Sequence, residues 1–477
     1  MKRRFVALLL AALMCLPMIL VGCGGGDSNT ATTSDFVVPE GGFDTEKEIT
    51  ITFYHTMGAN LREVLDKYIP EFNKLYPNIK IEHKQVGSYD DVRDQIKTEI
   101  TVGNQPNIAY CYPDHVALYN LAKAVVPMDS LINSTVEVKR ADGTIEVLGL
   151  TDDQKNDFIK GYYDEGAQFG DGKMYTLPLS KSTEVLYYNK TFFEKNGLKV
   201  PTTWDEMEKV CEQIKKIDPD CIPLGYDSEA NWFITMCEQY GSDYTSASGE
   251  HFLFDNAKNI EFVTRFRDWY QKGYVTTKEL SGGYTSDLFK MDPNEKGNSY
   301  MCIGSSAGAS YQRPVKTGDK YLFEVDITTV PQVDAKNPKV ISQGPSLCIF
   351  NKADPQEVLA SWLFVEFLTT TPAFQADFSM TSGYVPVIKS AAEDPIYKSD
   401  FLELADGGDY IQALSVKVGL MQEAAYYTSP AFNGSSVARD QVGLLMQKCF
   451  TLTDGDVSAA IKKAFEDAIA ECEYQAG

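Results

Sequence analysis

The chain has 477 residues, with 44 Lys and Arg against 67 Asp and Glu, which gives a formal charge of −23. Such acidity argues against nucleic-acid binding, because that function needs basic surface to replace the counterions of the phosphates. It also means that an anionic ligand would need a local positive group in its pocket. The length suits two lobes, each with a hydrophobic core of its own.

The first residues predict export and a lipid anchor. Basic residues at positions 2–4 precede an apolar run over 5–21, which is shorter than the roughly 20 apolar residues of a membrane-spanning helix. The run ends in Leu20-Val21-Gly22-Cys23, which resembles a bacterial lipobox. We therefore predict a lipoprotein signal peptide over 1–22, lipidation at Cys23 and a lipid-anchored flexible tether over 23–45. An uncleaved anchor helix is the alternative.

The remaining cysteines predict thiols inside the core. An exported protein could pair them in disulfides, and that alternative stays open. However, Cys211 and Cys472 fall on the apolar stripes of amphipathic helices, and the chain has no CxxC spacing, so buried free thiols are favoured. Besides Cys15 and Cys23, the cysteines are Cys111, Cys211, Cys221, Cys237, Cys302, Cys348, Cys449 and Cys472.

From Ile49 onward, strand and helix patterns alternate. Strands are predicted over 49–54 and 79–86, and a helix between them is expected to open with a capping box at Asn60 and Glu63 and to kink at Pro70. Strand–helix–strand at this spacing implies right-handed crossovers and a parallel sheet covered on both faces. Further on, a capping box at 203–206 opens another helix, 260–272 forms a third, and a regular apolar stripe from Val457 predicts the last helix.

Residue patterns typical of catalysis or metal binding are missing from the sequence. The chain has four histidines without the spacing of a metal pair, and it contains no HExxH, GxSxG, P-loop or dinucleotide-binding glycine pattern. We therefore predict no catalytic residues, no metal and no cofactor, and we expect that the protein is not an enzyme. The histidines are His55, His83, His115 and His251.

The densest motif run lies over 172–206. It reads GKMYTLP at 172–178, STEVLYYNK at 182–190 and PTTWDE at 201–206. This run closely resembles the signature of the extracellular solute-binding proteins of family 1, which serve importers of sugars and related compounds. Supporting motifs occur in the order of the family: FYHTM at 53–57, GNQPNI at 103–108, MCIGSS at 301–306, GPSL at 344–347 and SGYVPV at 382–387.

The resemblance implies an α/β fold of the two-lobed, type II periplasmic-binding-protein-like kind. Each lobe would be a mainly parallel sheet flanked by helices, with the ligand cleft at a hinge that the chain crosses near Ser182, Pro331 and Tyr384. The N-terminal lobe would hold 46–182 plus 332–384, and the C-terminal lobe 183–331 plus 385–477. Glu184 is expected at the hinge.

The implied function is that of an extracytoplasmic solute-binding lipoprotein, anchored to the cell membrane and serving an ABC importer. It would deliver a small polar solute to the transmembrane permease subunits, while a separate ATPase subunit hydrolyses the nucleotide, and it is expected to be a monomer. A secreted glycan or phosphodiester hydrolase is the alternative from a different class.

Within the family, the chain is most similar to the branch that binds sn-glycerol 3-phosphate and its diesters. It departs from that branch at two places. Pro113, followed by Asp114, stands where the branch has a carboxylate that binds hydroxyls, and Ala230 and Phe233 replace paired tryptophans, with Trp232 beside the second. The ligand-binding residues that the resemblance implies are Tyr89, Asp114, Ser182, Trp232, Ser305, Ser306, Gly344, Tyr384 and Arg439.

The chemistry of these residue types suits a carbohydrate or a glycerophosphoryl compound, with a neutral oligosaccharide as the alternative. The planar fork of Arg439 can hold a phosphate by two parallel hydrogen bonds, although Arg439 could instead be a surface residue paired with Asp440. Tyrosine and tryptophan rings supply apolar walls, although such rings are more often part of a core. Asp114 could accept from ligand hydroxyls or serve only as a turn or cap residue.

Overall fold

The computed structural model describes residues 35–169, 171–291, 298–403 and 411–476. The predicted signal peptide and Cys23 lie outside these residues, so the lipidation stays a prediction. The last part of the predicted tether is packed rather than free. Phe43 is buried in the hydrophobic core of the N-terminal lobe, and Phe36 and Val38 contact the same core. Among the described residues, none of the helices combines the length and the apolar character that crossing a bilayer requires.

Strands and helices alternate along most of the chain. The strands are β1 (Ile49–His55), β2 (Ile79–Gln85), β3 (Ile108–Cys111), β4 (Glu137–Lys139), β5 (Ile145–Val147), β6 (Leu177–Pro178), β7 (Ser182–Asn189), β8 (Leu224–Tyr226), β9 (Val275–Thr277), β10 (Met301–Ser305), β11 (Lys316–Thr317), β12 (Lys320–Tyr321), β13 (Val325–Thr329), β14 (Val340–Gln343), β15 (Ser346–Ile349) and β16 (Tyr426–Tyr427).

The helices flank these strands. They are α1 (Ala59–Leu75), α2 (Tyr89–Ile100), α3 (Pro113–Asn120), α4 (Asp129–Ile132), α5 (Asp152–Asp157), α6 (Lys160–Asp164), α7 (Lys190–Asn196), α8 (Trp204–Ile217), α9 (Glu229–Tyr240), α10 (Ala257–Gln271), α11 (Lys278–Ser281), α12 (Ser286–Phe289), α13 (Pro355–Thr370), α14 (Pro372–Ser382), α15 (Ile411–Met421), α16 (Ser435–Phe450) and α17 (Val457–Ala476).

Two sheets form the two lobes. The first has the order β2-β1-β3-β15-β6, and the second has the order β16-β14-β7-β10-β8-β9, with β13 also paired to β7. In the first sheet β1 runs parallel to β2 and β3, whereas β15 runs antiparallel to β3 and β6. In the second sheet β8, β9 and β10 are mutually parallel, whereas β7 is antiparallel to its neighbours β10, β13 and β14.

The sheets are therefore mixed, and the prediction of mainly parallel sheets was wrong in this respect. The physical reason lies in the connections. β15 enters the first sheet from the second sheet through Gly344 and Pro345 alone, and it enters at the edge where β3 ends, because Ser346 pairs with Cys111. β15 therefore runs opposite to β3. Gly344 adopts a φ of +105°, and a Cβ there would lie 2.5 Å from the carbonyl oxygen of Ser180, so glycine allows this close passage.

Two predicted hinge crossings are displaced. The predicted N-terminal lobe includes 340–343, but Val340–Gln343 pairs with β7 in the second sheet, so this crossing lies at Gly344 rather than near Pro331. Val385, Val387 and Ala391 belong to the core of the first lobe, so the chain stays there beyond Tyr384. The crossing near Ser182 coincides with the start of β7, which follows β6 of the first sheet.

The predicted capping boxes and the predicted core thiols can be compared with the structure. The capping box at Asn60 is not formed, because α1 already begins at Ala59, with Gly58 as its N-cap. Thr203 does cap α8 by accepting from the Glu206 amide at 3.2 Å, but the Glu206 carboxylate accepts from Thr202 instead of closing the box. All eight cysteines in the described residues are free and buried, so the prediction of core thiols is confirmed.

Candidate ligand-binding cleft

A cavity of about 640 Å³ lies where strands of both sheets end. On the first sheet, Tyr89 follows β2 and Tyr112 follows β3. On the second sheet, Asp227 follows β8, Lys278 follows β9 and Ser305 ends β10. In α/β folds, ligands bind in the crevice outside the carboxyl ends of parallel strands. Because both sheets present this edge to one cavity, a molecule inside it would contact both lobes.

Five of the predicted ligand-binding residues line this cavity. Ser182 begins β7, Ser305 ends β10, and Arg439 lies in the first turns of α16. Tyr89 begins α2, and Tyr384 follows the positive-φ Gly383 that ends α14. Residues far apart in the sequence are thus brought together around one space.

Aromatic rings form the wall on the side of the first lobe. The ring of Tyr89 stacks on that of Tyr112 with centroids 4.4 Å apart, and Tyr110 lies behind it at 6.3 Å. The Tyr89 hydroxyl is buried without a hydrogen-bond partner among the described residues. Burial raises the pKa of this hydroxyl well above its ordinary value, and the neighbouring Tyr384 adds to the shift. The wall can therefore offer ring faces and an uncharged hydroxyl to a ligand.

A hydrogen-bonded chain within the second lobe connects Arg439 to a buried carboxyl group on β7. The Arg439 Nη2 donates to Oδ1 of Asn231, and Nδ2 of Asn231 donates to Oε1 of Glu184 at 3.0 Å. The Tyr226 hydroxyl donates to the other oxygen of Glu184. Burial is the largest single influence and acts to lower the pKa of Arg439, but Asp114 and the surrounding tyrosines together outweigh it, so the pKa is raised and the guanidinium stays charged.

Carboxyl groups outnumber cations around the cavity. Glu184, Asp227 and Asp287 face Lys278 and Arg439. Burial raises the pKa of Glu184 to about 7, although the hydrogen bonds from its neighbours act to lower it. Burial also raises the pKa of Asp227, whose carboxylate accepts two hydrogen bonds of 2.8 Å from one threonine. The cavity therefore gains negative charge as the pH rises through neutrality.

Two exposed tyrosines line the cavity on the side of the second lobe, and sequence reasoning missed both. Tyr284 is 59% exposed and Tyr311 is 68% exposed. The Lys278 ammonium lies 4.8 Å from the centroid of the Tyr284 ring. Tyr284 follows two glycines in a loop, and such an aromatic in a glycine-rich loop is the signal that could have found it. Exposed rings at a cleft can stack on the C–H faces of a sugar.

Two further spaces adjoin this cavity. One, of about 630 Å³, opens between α2, α9 and α16, and the other, of about 50 Å³, is a small chamber beside Gln343. Arg439 and Tyr112 line all three spaces. These two side chains thus stand at the junction of the whole cleft.

Known proteins resemble this chain in both sequence and fold. The family model "Bacterial extracellular solute-binding protein" matches residues 67–402. The chain belongs to this family. Over 377 residues it is 25% identical to the sn-glycerol-3-phosphate-binding periplasmic protein UgpB of Escherichia coli strain K12, covering 76% of this chain and 79% of that protein.

Solved structures of solute-binding proteins share the fold. UgpB from Mycobacterium tuberculosis, in complex with glycerophosphocholine, has a TM-score of 0.69 at 18% identity over 89% of this chain and 99% of that chain. The ABC substrate-binding protein Lmo0181 from Listeria monocytogenes, in complex with cycloalternan, has a TM-score of 0.69 at 16% identity over 90% and 99%. The predicted two-lobed, type II α/β fold and the predicted class, a solute-binding protein, are confirmed.

Trp232 does not line the cleft of this solute-binding protein, contrary to the prediction. The side chain is fully buried in the second core, where its ring stacks on Tyr226 at 4.7 Å and contacts Phe266 at 4.3 Å. The preceding residue, Asn231, faces the cavity instead. Successive residues of an α-helix are rotated by about 100°, and in the register of α9 this rotation turns Trp232 toward the core while Asn231 faces the cavity.

Three other predicted residues lie beside the main cavity rather than on it. Ser306 is buried, and its hydroxyl accepts from the Thr183 amide at 3.2 Å. Gly344 is buried at the crossing between the sheets, where its conformation serves the chain path. Asp114 lines the two adjoining spaces, next to Arg439.

The alternative pairing of Arg439 with Asp440 is not what the structure shows. Asp440 instead pairs with Arg93 on α2, with Oδ2 and Nη1 3.3 Å apart. The same Nη1 donates to the Ser436 hydroxyl at 2.9 Å. Arg93 therefore bridges from the first lobe to α16 at the edge of the cleft.

Proposed function

We propose that this protein is the extracytoplasmic solute-binding lipoprotein of an ABC importer. The family and the cleft walled by both lobes support this proposal. A solute that contacts both walls stabilises the closed form, because only that form makes both sets of contacts. The closed protein, a monomer held to the membrane by lipid on Cys23, then delivers the solute to the permease subunits, and a separate subunit hydrolyses ATP.

The proposed solute is a glycerophosphoryl compound, such as sn-glycerol 3-phosphate or its diesters. The observation that carries this proposal is the position of Arg439, whose guanidinium lies at the junction of the cleft and can hold a phosphate by its planar fork. The names of the two UgpB relatives support the same ligand class. The carboxyl groups around the cavity favour a diester with one negative charge over a monoester with nearly two.

A neutral oligosaccharide is the second candidate, and one specific observation favours it. Tyr284 and Tyr311 present exposed rings to the cavity, and the Tyr89 and Tyr112 pair stands on the opposite lobe. Rings on both sides of a cleft suit the apolar faces of sugar units. An oligosaccharide would depend on these rings and only weakly on the charge of Arg439.

Calorimetry with glycerophosphocholine, sn-glycerol 3-phosphate and maltotriose tests the ligand class. Arg439→Ala should lower the affinity for the phosphoryl compounds by roughly 10- to 150-fold for each charged hydrogen bond lost. It should leave the affinity for maltotriose nearly unchanged. Arg265→Ala is the matched control, because that arginine pairs with Asp205 on the surface and lines none of the three spaces. Unchanged affinity for the phosphoryl compounds in Arg439→Ala would refute the assignment.

Binding without conversion, and closure of the lobes, are tested separately. Mass spectrometry of the incubated solute should find it unchanged, whereas a hydrolase would release smaller products. Small-angle scattering should show compaction when a bound solute is added. A protein that turns the solute over, or that binds it without any compaction, would contradict the proposed mechanism.

A further inference from the structure

The small chamber beside the cleft is walled by polar side chains from both lobes. Glu165 comes from the first lobe, and Tyr244, Thr245, Ser342 and Ser429 come from the second. Arg439, Tyr112 and Gln343 line both this chamber and the main cavity, so the two spaces share a wall. A ligand in the main cavity could therefore extend a small group past Arg439.

Polar atoms around this chamber are buried without partners. Among the described residues, hydrogen bonds are missing for the hydroxyls of Tyr244, Thr245, Ser342 and Ser429 and for Oε2 of Glu165. Tyr244 is only 8% exposed and Glu165 only 3%. Buried polar groups in folded proteins nearly always have a hydrogen-bond partner. Their concentration around one space indicates that a polar group from outside completes them.

The hydrogen-bonding groups and charges of the chamber walls indicate which kind of ligand group fits there. The four hydroxyls can each donate and accept, Glu165 and Asp114 accept, and Arg439 donates. A phosphate would lie against two carboxylates. A cation would face Arg439, and the Glu165 carboxylate already has the Lys181 ammonium as its counter-ion at 2.8 Å. A neutral hydroxyl both donates and accepts, so it fits this mixed set without a charge penalty.

The size of the chamber limits the group to a few atoms. Its volume is about 50 Å³. One water needs about 10–15 Å³ of such space, so the chamber has room for about three to five groups of that size. A terminal diol or a hydroxymethyl group fits, whereas a whole sugar ring does not.

We propose that this chamber is a subsite for the neutral, hydroxyl-bearing end of the solute. The charged or cyclic part of the solute stays in the main cavity, on the other side of Arg439. The subsite rests on the proposed function, because the solute must first occupy the cleft. Tyr244, Thr245 and Ser429 thereby become residues that select for a hydroxylated end.

Two variants remove a chamber hydroxyl and keep the shape of the side chain. Tyr244→Phe and Thr245→Val are compared with Tyr119→Phe and Thr176→Val, whose hydroxyls are also buried and unpartnered but line none of the three spaces. The probes are glycerophosphocholine and phosphocholine, which share the phosphate and the choline and differ in the glycerol diol. Maltotriose serves as the hydroxylated probe without charge.

Each chamber variant should lower the affinity for glycerophosphocholine or for maltotriose by about 2- to 12-fold, which is the loss expected for one neutral hydrogen bond. Phosphocholine binding should not change, and the two control variants should behave like the wild type. If the wild type binds and the chamber variants bind equally well, the subsite is refuted while the proposed function stands. If the wild type binds none of the probes, the proposed function fails and the subsite fails with it.

The stability of the ligand-free protein separates a solute subsite from a structural water site. Removing an unpartnered hydroxyl should leave the melting temperature of the ligand-free chamber variants unchanged or raise it, because the buried group had no partner to lose. A lower melting temperature with unchanged affinity would show that the hydroxyls hold ordered water only, and it would overturn the proposal.

Discussion

Replacing Glu184 by glutamine should remove a pH-dependent loss of stability. Glu184 lies on β7 and is only 1% exposed. Its two carboxyl oxygens accept hydrogen bonds from Tyr226 and Asn231. The charges of Asp227 and Arg439 lie nearby. Glutamine has the shape of the protonated acid and cannot ionise. Its amide oxygen can accept from Asn231, and its amide nitrogen can donate to the Tyr226 oxygen. The substitution therefore imitates the neutral form without opening a cavity.

The magnitude follows from the two pKa values. Burial raises the pKa of Glu184 to about 7, from 4.5 for an unperturbed side chain. Because the folded state holds the proton more tightly, stability is greatest below the unfolded pKa and falls as the pH rises from there through the folded pKa. A difference of about 2.5 pKa units corresponds to about 3 kcal/mol. Glu184→Gln should match the wild type near pH 4.5 and exceed its stability by up to about 3 kcal/mol above pH 8.

Urea unfolding at a series of pH values measures this difference. Glu366→Gln is the matched control, because burial raises the pKa of Glu366 to about 8 and its side chain lines none of the three spaces. Both variants should flatten the pH dependence of stability. Only Glu184→Gln should also raise the affinity for a phosphodiester above pH 7, because only Glu184 places its charge in the cleft.

A stability difference between Glu184→Gln and the wild type that stays constant from about pH 5 to pH 8 would refute this reasoning. That result would mean that the carboxyl group is ionised throughout the range in the folded protein. The Tyr226 and Asn231 hydrogen bonds and the Arg439 charge would then outweigh the burial.

Two other variants test the edge of the cleft and the core. Arg93→Ala removes the contacts with Ser436 and Asp440. Because Asp440 is 46% exposed, we expect the ratio of open to closed protein to rise by only about 2- to 5-fold. This shift should be seen as a larger radius of gyration of the ligand-free protein. An unchanged or smaller radius would contradict a bridging role. Trp232→Ala should lower the unfolding free energy in urea by about 3–5 kcal/mol, and a loss well below that would contradict its place in the core.

The local elements of the fold could be predicted, because hydrophobic periodicity determines them. The predicted strand over 49–54 is Ile49–His55 in the structure, and the predicted strand over 79–86 is Ile79–Gln85. The direction of β15 could not be predicted in this way, because it depends on a pairing with β3 more than 200 residues away. The crossing at Gly344 had a local signal, a glycine before a proline, but only the pairing of β14 shows which sheet comes first.

Some residues of the candidate site could likewise be predicted from the sequence, and others could not. Tyr89, Ser182, Tyr384 and Arg439 lie in motifs that the family resemblance aligns, and the structure brings them to one cavity. Asn231 and Trp232 show the limit of that approach. They are adjacent in sequence, and the register of α9 decides which of them faces the ligand and which faces the core.

The chamber residues had no local signal at all. Tyr244 and Thr245 follow α9, and Ser429 follows β16, almost 200 residues later. Only the tertiary structure places them beside Glu165 of the other lobe. Hydroxyl side chains in loops are common turn residues, so sequence alone gives no reason to select these three.

The division of the walls between the lobes limits which solutes can close the cleft. Tyr89 and Tyr384 contact the core of the first lobe, whereas Arg439 and Asn231 belong to helices of the second. A solute that meets only Arg439 binds the open and closed forms equally and shifts nothing. Moving the population from 1% to 99% closed needs a preference of about 10⁴-fold, or about 5.5 kcal/mol. Inorganic phosphate on Arg439 alone cannot supply this, so the transported solute must also reach the tyrosines of the opposite wall.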